Sequence, residues 1–124
     1  TQAAPLAAGL PREKRAGIAL GRGMAAVLSG KAAHAVEPLN QALGLVDDGV
    51  RKAKALMALA QAYAALGRTQ QAAAAWQRAA ATPGALRSDR AAADESLGYA
   101  LIAAGNPAEA EAAFRRALDD SAAN

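Results

Sequence analysis

Residues 105–118, GNPAEAEAAFRRAL, decide the fold because they read as one half of a larger unit. Asn106 is suited to cap a helix and Pro107 to open its first turn, and Glu109 follows Asn106 at the spacing of a capping box. Ala110, Phe114 and Ala117 then recur at i, i+4 and i+7, which places them on one helical face with charged residues behind. One helix cannot cover its own apolar stripe, so its partners must lie elsewhere in the chain.

They lie upstream, in register. Residues 67–80 read GRTQQAAAAWQRAA and residues 30–43 read GKAAHAVEPLNQAL, so that Gly30, Gly67 and Gly105 align at intervals of 37 and 38. Each copy carries Ala, a bulky apolar residue and Ala at the same spacing: Ala35, Leu39, Ala42; Ala72, Trp76, Ala79; Ala110, Phe114, Ala117. Before each glycine runs a second amphipathic stretch, with Leu56, Leu59, Ala60 and Tyr63 in the middle copy and Leu97, Gly98 and Leu101 in the third. The glycines suit the left-handed residue that ends a helix, and Thr69 can cap the helix that follows Gly67.

The spacing predicts helices over 12–29, 32–45, 50–66, 69–81, 88–104 and 107–119. The short turns at the aligned glycines make each pair of helices an antiparallel hairpin. Val46-Asp47-Asp48-Gly49 and the segment 82–87 separate the copies. The expected fold is all-α: three helix-turn-helix repeats stacked as a right-handed α-solenoid with a concave and a convex side. Residues 12–120 form the single repeat domain, 1–11 an N-terminal extension and 121–124 a tail.

Composition agrees. The chain has 124 residues, the size of one domain, and is 53% hydrophobic with only 3% aromatic residues. Alanine supplies most of the apolar content, so helices can approach closely. Absence of cysteine excludes a disulfide framework, a thiolate nucleophile and a thiolate metal site, and fits cytoplasm and bacterial periplasm alike. No run approaches the roughly 18–20 apolar residues that span a bilayer, and TQAAPLAAGLP lacks the basic start and strong apolar stretch of a signal peptide. A chain that opens on Thr1 reads as a processed product or a piece of something longer. The preference for arginine over lysine, with the alanine load, points to a GC-rich bacterial genome.

Leu56, Leu59, Ala60, Tyr63, Gly67, Ala72, Trp76 and Ala79, with Leu97-Gly98, Gly105, Ala110, Phe114 and Ala117, make nearly the whole chain from residue 12 resemble tetratricopeptide (TPR) repeats. The first copy departs from the pattern, with Arg22 where Leu is wanted and Ala26 where Tyr is wanted, and agrees at Gly23, Gly30, Ala35, Leu39 and Ala42. The family period is 34, so the turns between copies are longer here, and Pro83 is a displaced version of the closing proline. The resemblance implies a concave groove lined by the first helix of each repeat: Leu20, Met24 and Val27, then Lys54, Met57, Gln61 and Ala64, then Glu95, Tyr99 and Ile102. The Lys and Asn set with which chaperone-binding relatives clamp a C-terminal carboxylate is missing, so an apolar extended segment or a helix of a partner protein is the implied ligand. Such arrays also resemble the periplasmic repeat regions of exopolysaccharide-export proteins, for example those of cellulose, which leans the expected compartment toward the periplasm.

Nothing in the sequence calls for catalysis, a cofactor or a metal. LSGKAA has the Gly30-Lys31 of a phosphate loop, but Ala25 replaces its first glycine and Ala32 its Ser/Thr. Gly21-Arg22-Gly23 lacks the third glycine of a dinucleotide loop and lies on a helix, where small residues serve close packing. His34 is the only histidine, and Asp47-Asp48, Asp94-Glu95 and Asp119-Asp120 read as solvated helix ends and caps. Trp76 and Phe114 read as core plugs.

The formal net charge is +3, and Arg51, Lys52 and Lys54 could form a basic patch. No exposed aromatics interleave with it, as a single-strand groove requires, so nucleic acid is the weaker alternative to a protein partner. The expected function is therefore a noncatalytic TPR protein-interaction scaffold, part of a larger bacterial assembly protein. With small apolar residues such as Ala108 and Ala112 on its last helix, the array is further expected either to continue in more repeats or to self-associate through a terminal helix.

Overall fold

The computed structural model describes residues 10–122. They form six helices: α1 (Arg12–Leu28), α2 (Ala32–Leu45), α3 (Gly49–Ala65), α4 (Thr69–Ala80), α5 (Arg87–Ala103) and α6 (Pro107–Ala122). No strand occurs among the described residues. The helix bounds follow the sequence periodicity, except that α6 runs three residues past its expected end at 119. Of the expected N-terminal extension, residues 1–9 lie outside the described residues, as do 123–124 of the tail.

The turns within the pairs are one motif used three times. Gly30, Gly67 and Gly105 take φ of 74°, 76° and 83°, the left-handed conformation that costs a glycine little and any other residue more. The amide after each glycine reaches back five residues, Lys31 to the Ala26 carbonyl, Arg68 to Tyr63 and Asn106 to Leu101, each at 2.8 Å. The glycine amides close the inner bonds to Val27, Ala64 and Ile102. These are Schellman ends, and they satisfy carbonyls that the helix termini would otherwise leave open.

The same geometry corrects one capping expectation. Thr69 is the first residue of α4, not its cap; Arg68 holds that position without a side-chain bond to the helix start. Folding back onto Tyr63 fixes Arg68 there, and its carbonyl accepts the Ala72 amide. Asn106 holds the matching position before α6, its carbonyl accepting the Ala110 amide at 3.0 Å.

The links between pairs are individual. Asp48 caps α3, its carboxylate accepting the Arg51 amide at 2.9 Å and the Arg51 guanidinium at 2.7 Å. Before α5 the chain turns through Gly84, at φ 81°, and the Thr82 hydroxyl donates to the Arg78 carbonyl. The two links touch: a Cβ on Gly49 would collide with the Pro83 carbonyl.

Each helix packs on the next along the chain, and α1 also touches α3 as α3 touches α5. Six helices stacked in chain order in this way have the arrangement of a helical repeat. One core cluster fills the space among α1, α2 and α3 around Leu20, Leu39 and Leu59; a second gathers Leu56, Trp76, Leu97 and Ala113. Most other members are alanines, which draws the backbones together.

In each pair a small residue of the first helix admits the bulky residue of the second. A Cβ on Gly23 would strike Leu39, and one on Gly98 would strike the Phe114 ring; Ala60, buried in register with both, lies with Trp76 in the second cluster. Gly21, grouped with Gly23 in the sequence, meets nothing within 4 Å and has no such role. Pro38, inside α2 and buried, occupies the register position of Ala75 and Ala113.

Candidate interaction face

Because α1, α3 and α5 touch in series while α2, α4 and α6 have no comparable contact with one another, the three first helices share one side of the array. The repeat register sorts the candidate residues on that side into rows: Leu20, Met57, Glu95; Met24, Gln61, Tyr99; Val27, Ala64, Ile102. Lys54 stands one turn before Met57.

The rows do not all face outward. Leu20 is only 8% exposed and belongs to the first core cluster, so it departs from the expected groove lining. Its neighbours explain this: α2 and α3 close over that side of α1. Val27 is half-buried against the same cluster, and Met57 against the second. Met24, Gln61, Ala64 and Glu95 are exposed. Among these candidates the widest apolar exposure lies on α5, where Tyr99 is 62% and Ile102 54% exposed.

Tyr99 is held from below. Its ring meets Phe114 edge-on, with centroids 5.2 Å apart and planes at 76°, the arrangement aromatic quadrupoles favour. Phe114 in turn lies against Gly98, so a small residue in α5 sets the seat of the exposed tyrosine beside it. Phe114 is a plug only in part, since it is not fully buried.

Charges on this side are largely spoken for. Lys54 reaches across from α3 to Asp89 of α5, Nζ to Oδ2 at 3.1 Å, tying two first helices together. Arg51 is engaged by Asp48, and the Arg51 amide and then its guanidinium hold the Asp48 carboxyl below the usual carboxylate range. Two of the three residues of the proposed basic patch are thus already paired within the chain.

Asp94 overturns the expectation of a solvated pair with Glu95. It is 2% exposed and accepts from Arg116 of α6, at 3.2 Å from Nε and 3.1 Å from Nη2. The repeat register carried the signal, because Asp94 aligns with Leu56 and Ala19, both core residues. Asp120 is likewise partnered, with Arg90 at 3.7 Å.

These two pairs wall a cleft of about 450 Å³ among α4, α5 and α6. A second cleft, of about 730 Å³, lies between α2 and the turn after α3, lined by Val36, Asn40, Leu66 and Arg68 among others. Neither is lined by the candidate face residues. Among the described residues no group of three His, Cys, Asp or Glu side chains could hold a metal ion, and His34 is an exposed residue of α2. No helix among the described residues is long and apolar enough to cross a membrane.

Compared with protein-family models the chain matches none, and comparison with curated proteins also gives no match.

Proposed function

We propose that the chain is a noncatalytic tetratricopeptide-type scaffold that binds an extended segment or a helix of a partner protein in the concave groove of a right-handed solenoid. The observation that carries this is the side formed by α1, α3 and α5, where Tyr99 and Ile102 stand exposed beside Met24, Gln61 and Ala64. Exposed aromatic and aliphatic anchors on a rigid helical platform are what a partner segment can bury. The three identical Schellman turns and the small-to-bulky pairing within each hairpin support the family reading. In this proposal the setting is a larger bacterial assembly, and the resemblance to exopolysaccharide-export repeats favours the periplasm.

The test is retention of a partner on the immobilised chain. Met57→Glu and Tyr99→Ala should each reduce retention with unchanged circular dichroism, while Arg78→Ala on the exposed side of α4 should not. Equal loss from all three would refute binding on the first-helix face. Retention of nucleic acid that declines steeply with salt would instead favour a phosphate ligand.

A further inference from the structure

The two ends of the array expose positions that the repeat register buries or packs against the core elsewhere in the chain. Ile18 of α1 is 51% exposed, whereas Ala55 and Ala93, its counterparts in α3 and α5, are fully buried in the two core clusters. Arg22, one turn on, is exposed where Leu59 and Leu97 are buried. At the other end Leu118 of α6 is 68% exposed, whereas its counterparts Leu43 and Ala80 pack against the clusters. Glu111 is exposed where Val36 and Ala73 are packed.

These are two halves of one junction. Inside the chain the counterparts of Leu118 and Glu111 join the counterparts of Ile18 and Arg22 in the same cluster, once between the first and second hairpins and once between the second and third. All the counterparts of these four positions inside the chain are apolar, whereas on the outer faces Arg22 and Glu111 give two of them opposite charge. Lys14 and Arg22 flank Ile18 one turn to either side; Glu111 and Asp119 stand on α6 with Leu118. Among the described residues Glu111 pairs with Arg115, one turn along its own exposed surface, at 3.1 Å, a pair easily exchanged for one across an interface.

We propose that the outer face of α1 docks on the outer face of α6 of a second copy, with Ile18 against Leu118 and Arg22 facing Glu111, so that the stacking of hairpins passes from one chain to the next. The contact is heterologous: it uses two different surfaces, and each added copy presents a fresh one, so the assembly is open-ended.

Sedimentation and light scattering over a wide concentration range test it, with circular dichroism to confirm folding. The wild-type chain should grow in mass with concentration beyond a dimer. Ile18→Glu and Leu118→Glu, both at exposed sites, should each be monomeric alone, yet a mixture of the two should form a one-to-one dimer that grows no further, since one intact α1 face then meets one intact α6 face. Arg22→Glu should weaken association at least tenfold, and adding Glu111→Arg should restore it. Either glutamate variant dimerising alone would show a symmetric contact instead and overturn the proposal. A wild-type chain that stays monomeric at millimolar concentration would also overturn it, leaving these ends to some other occupant.

Discussion

Gly98 of α5 and the ring of Phe114 in α6 compete for one space: a Cβ built on Gly98 would stand 2.6 Å from two ring carbons. Gly98→Ala must therefore push the ring aside, and with it the edge contact to Tyr99. Overpacking of this kind costs about 1–3 kcal/mol. The cost should largely vanish in a Phe114→Leu background, as a strongly nonadditive double-mutant cycle in urea.

Trp76 is the bulkiest side chain buried in the second cluster. Truncating it to Ala should cost about 3–5 kcal/mol, because rigid helices on every side cannot collapse into the void. Ala110→Leu should cost about 1–3 kcal/mol for the opposite reason, since no room exists beside α5. Wild-type-like melting of both would contradict the packing register.

Arg116→Met leaves the buried Asp94 without its partner. An unsatisfied buried carboxylate costs about 1–3 kcal/mol or more, so chemical denaturation should show a clear loss. The double variant Asp94→Leu/Arg116→Met should regain or exceed wild-type stability, because Leu56 already fills the matching position one hairpin earlier. Arg115→Ala, which breaks only an exposed pair with Glu111, should change stability by less than about 0.5 kcal/mol.

Asp48 links folding to pH. Its folded pKa lies below the reference value of 3.8, so its contribution is complete above that value and is lost as pH falls through the lowered one. Asp48→Asn keeps an acceptor for the Arg51 amide but cannot be protonated in this range. The melting temperature of the wild type should therefore exceed that of the variant at pH 7, and the gap should narrow toward pH 3.

Pro38 gives α2 no amide for the His34 carbonyl, and a proline inside a helix costs roughly 3 kcal/mol. The matching positions hold Ala75 and Ala113, both buried. Pro38→Ala should raise stability by about 1–2 kcal/mol after the gain in unfolded-chain freedom and the lost ring contacts are set against it. Unchanged or lower thermal stability would mean that the ring packs better than an alanine can.

The hairpins were legible because their determinants are local. Helical periodicity and a left-handed glycine act within about a turn of chain, and three copies in register average out ambiguity. What escaped depended on distant partners. Asp94 reads as a solvated acid until Arg116, on another helix, reaches over it, and nothing near Lys54 names Asp89 as its partner. The family resemblance implies an open-face position for Leu20, but the closure of α2 and α3 over that side of α1 decides its burial. Thr69 shows a competition within one turn, where a backbone fold-back at Gly67 displaced a side-chain cap.

Every substantial helix contact is between elements one or two places apart in the chain. Such a molecule has few long loops to close on the way to its native state, so its topology favours rapid folding. It also has no single keystone. The middle hairpin is braced on two sides and the outer ones on one, so local opening should begin at α1 and α6 and travel inward. Amide protons in α3 and α4 would then be the slowest to exchange, and the depth of protection along the chain would record which hairpin had neighbours.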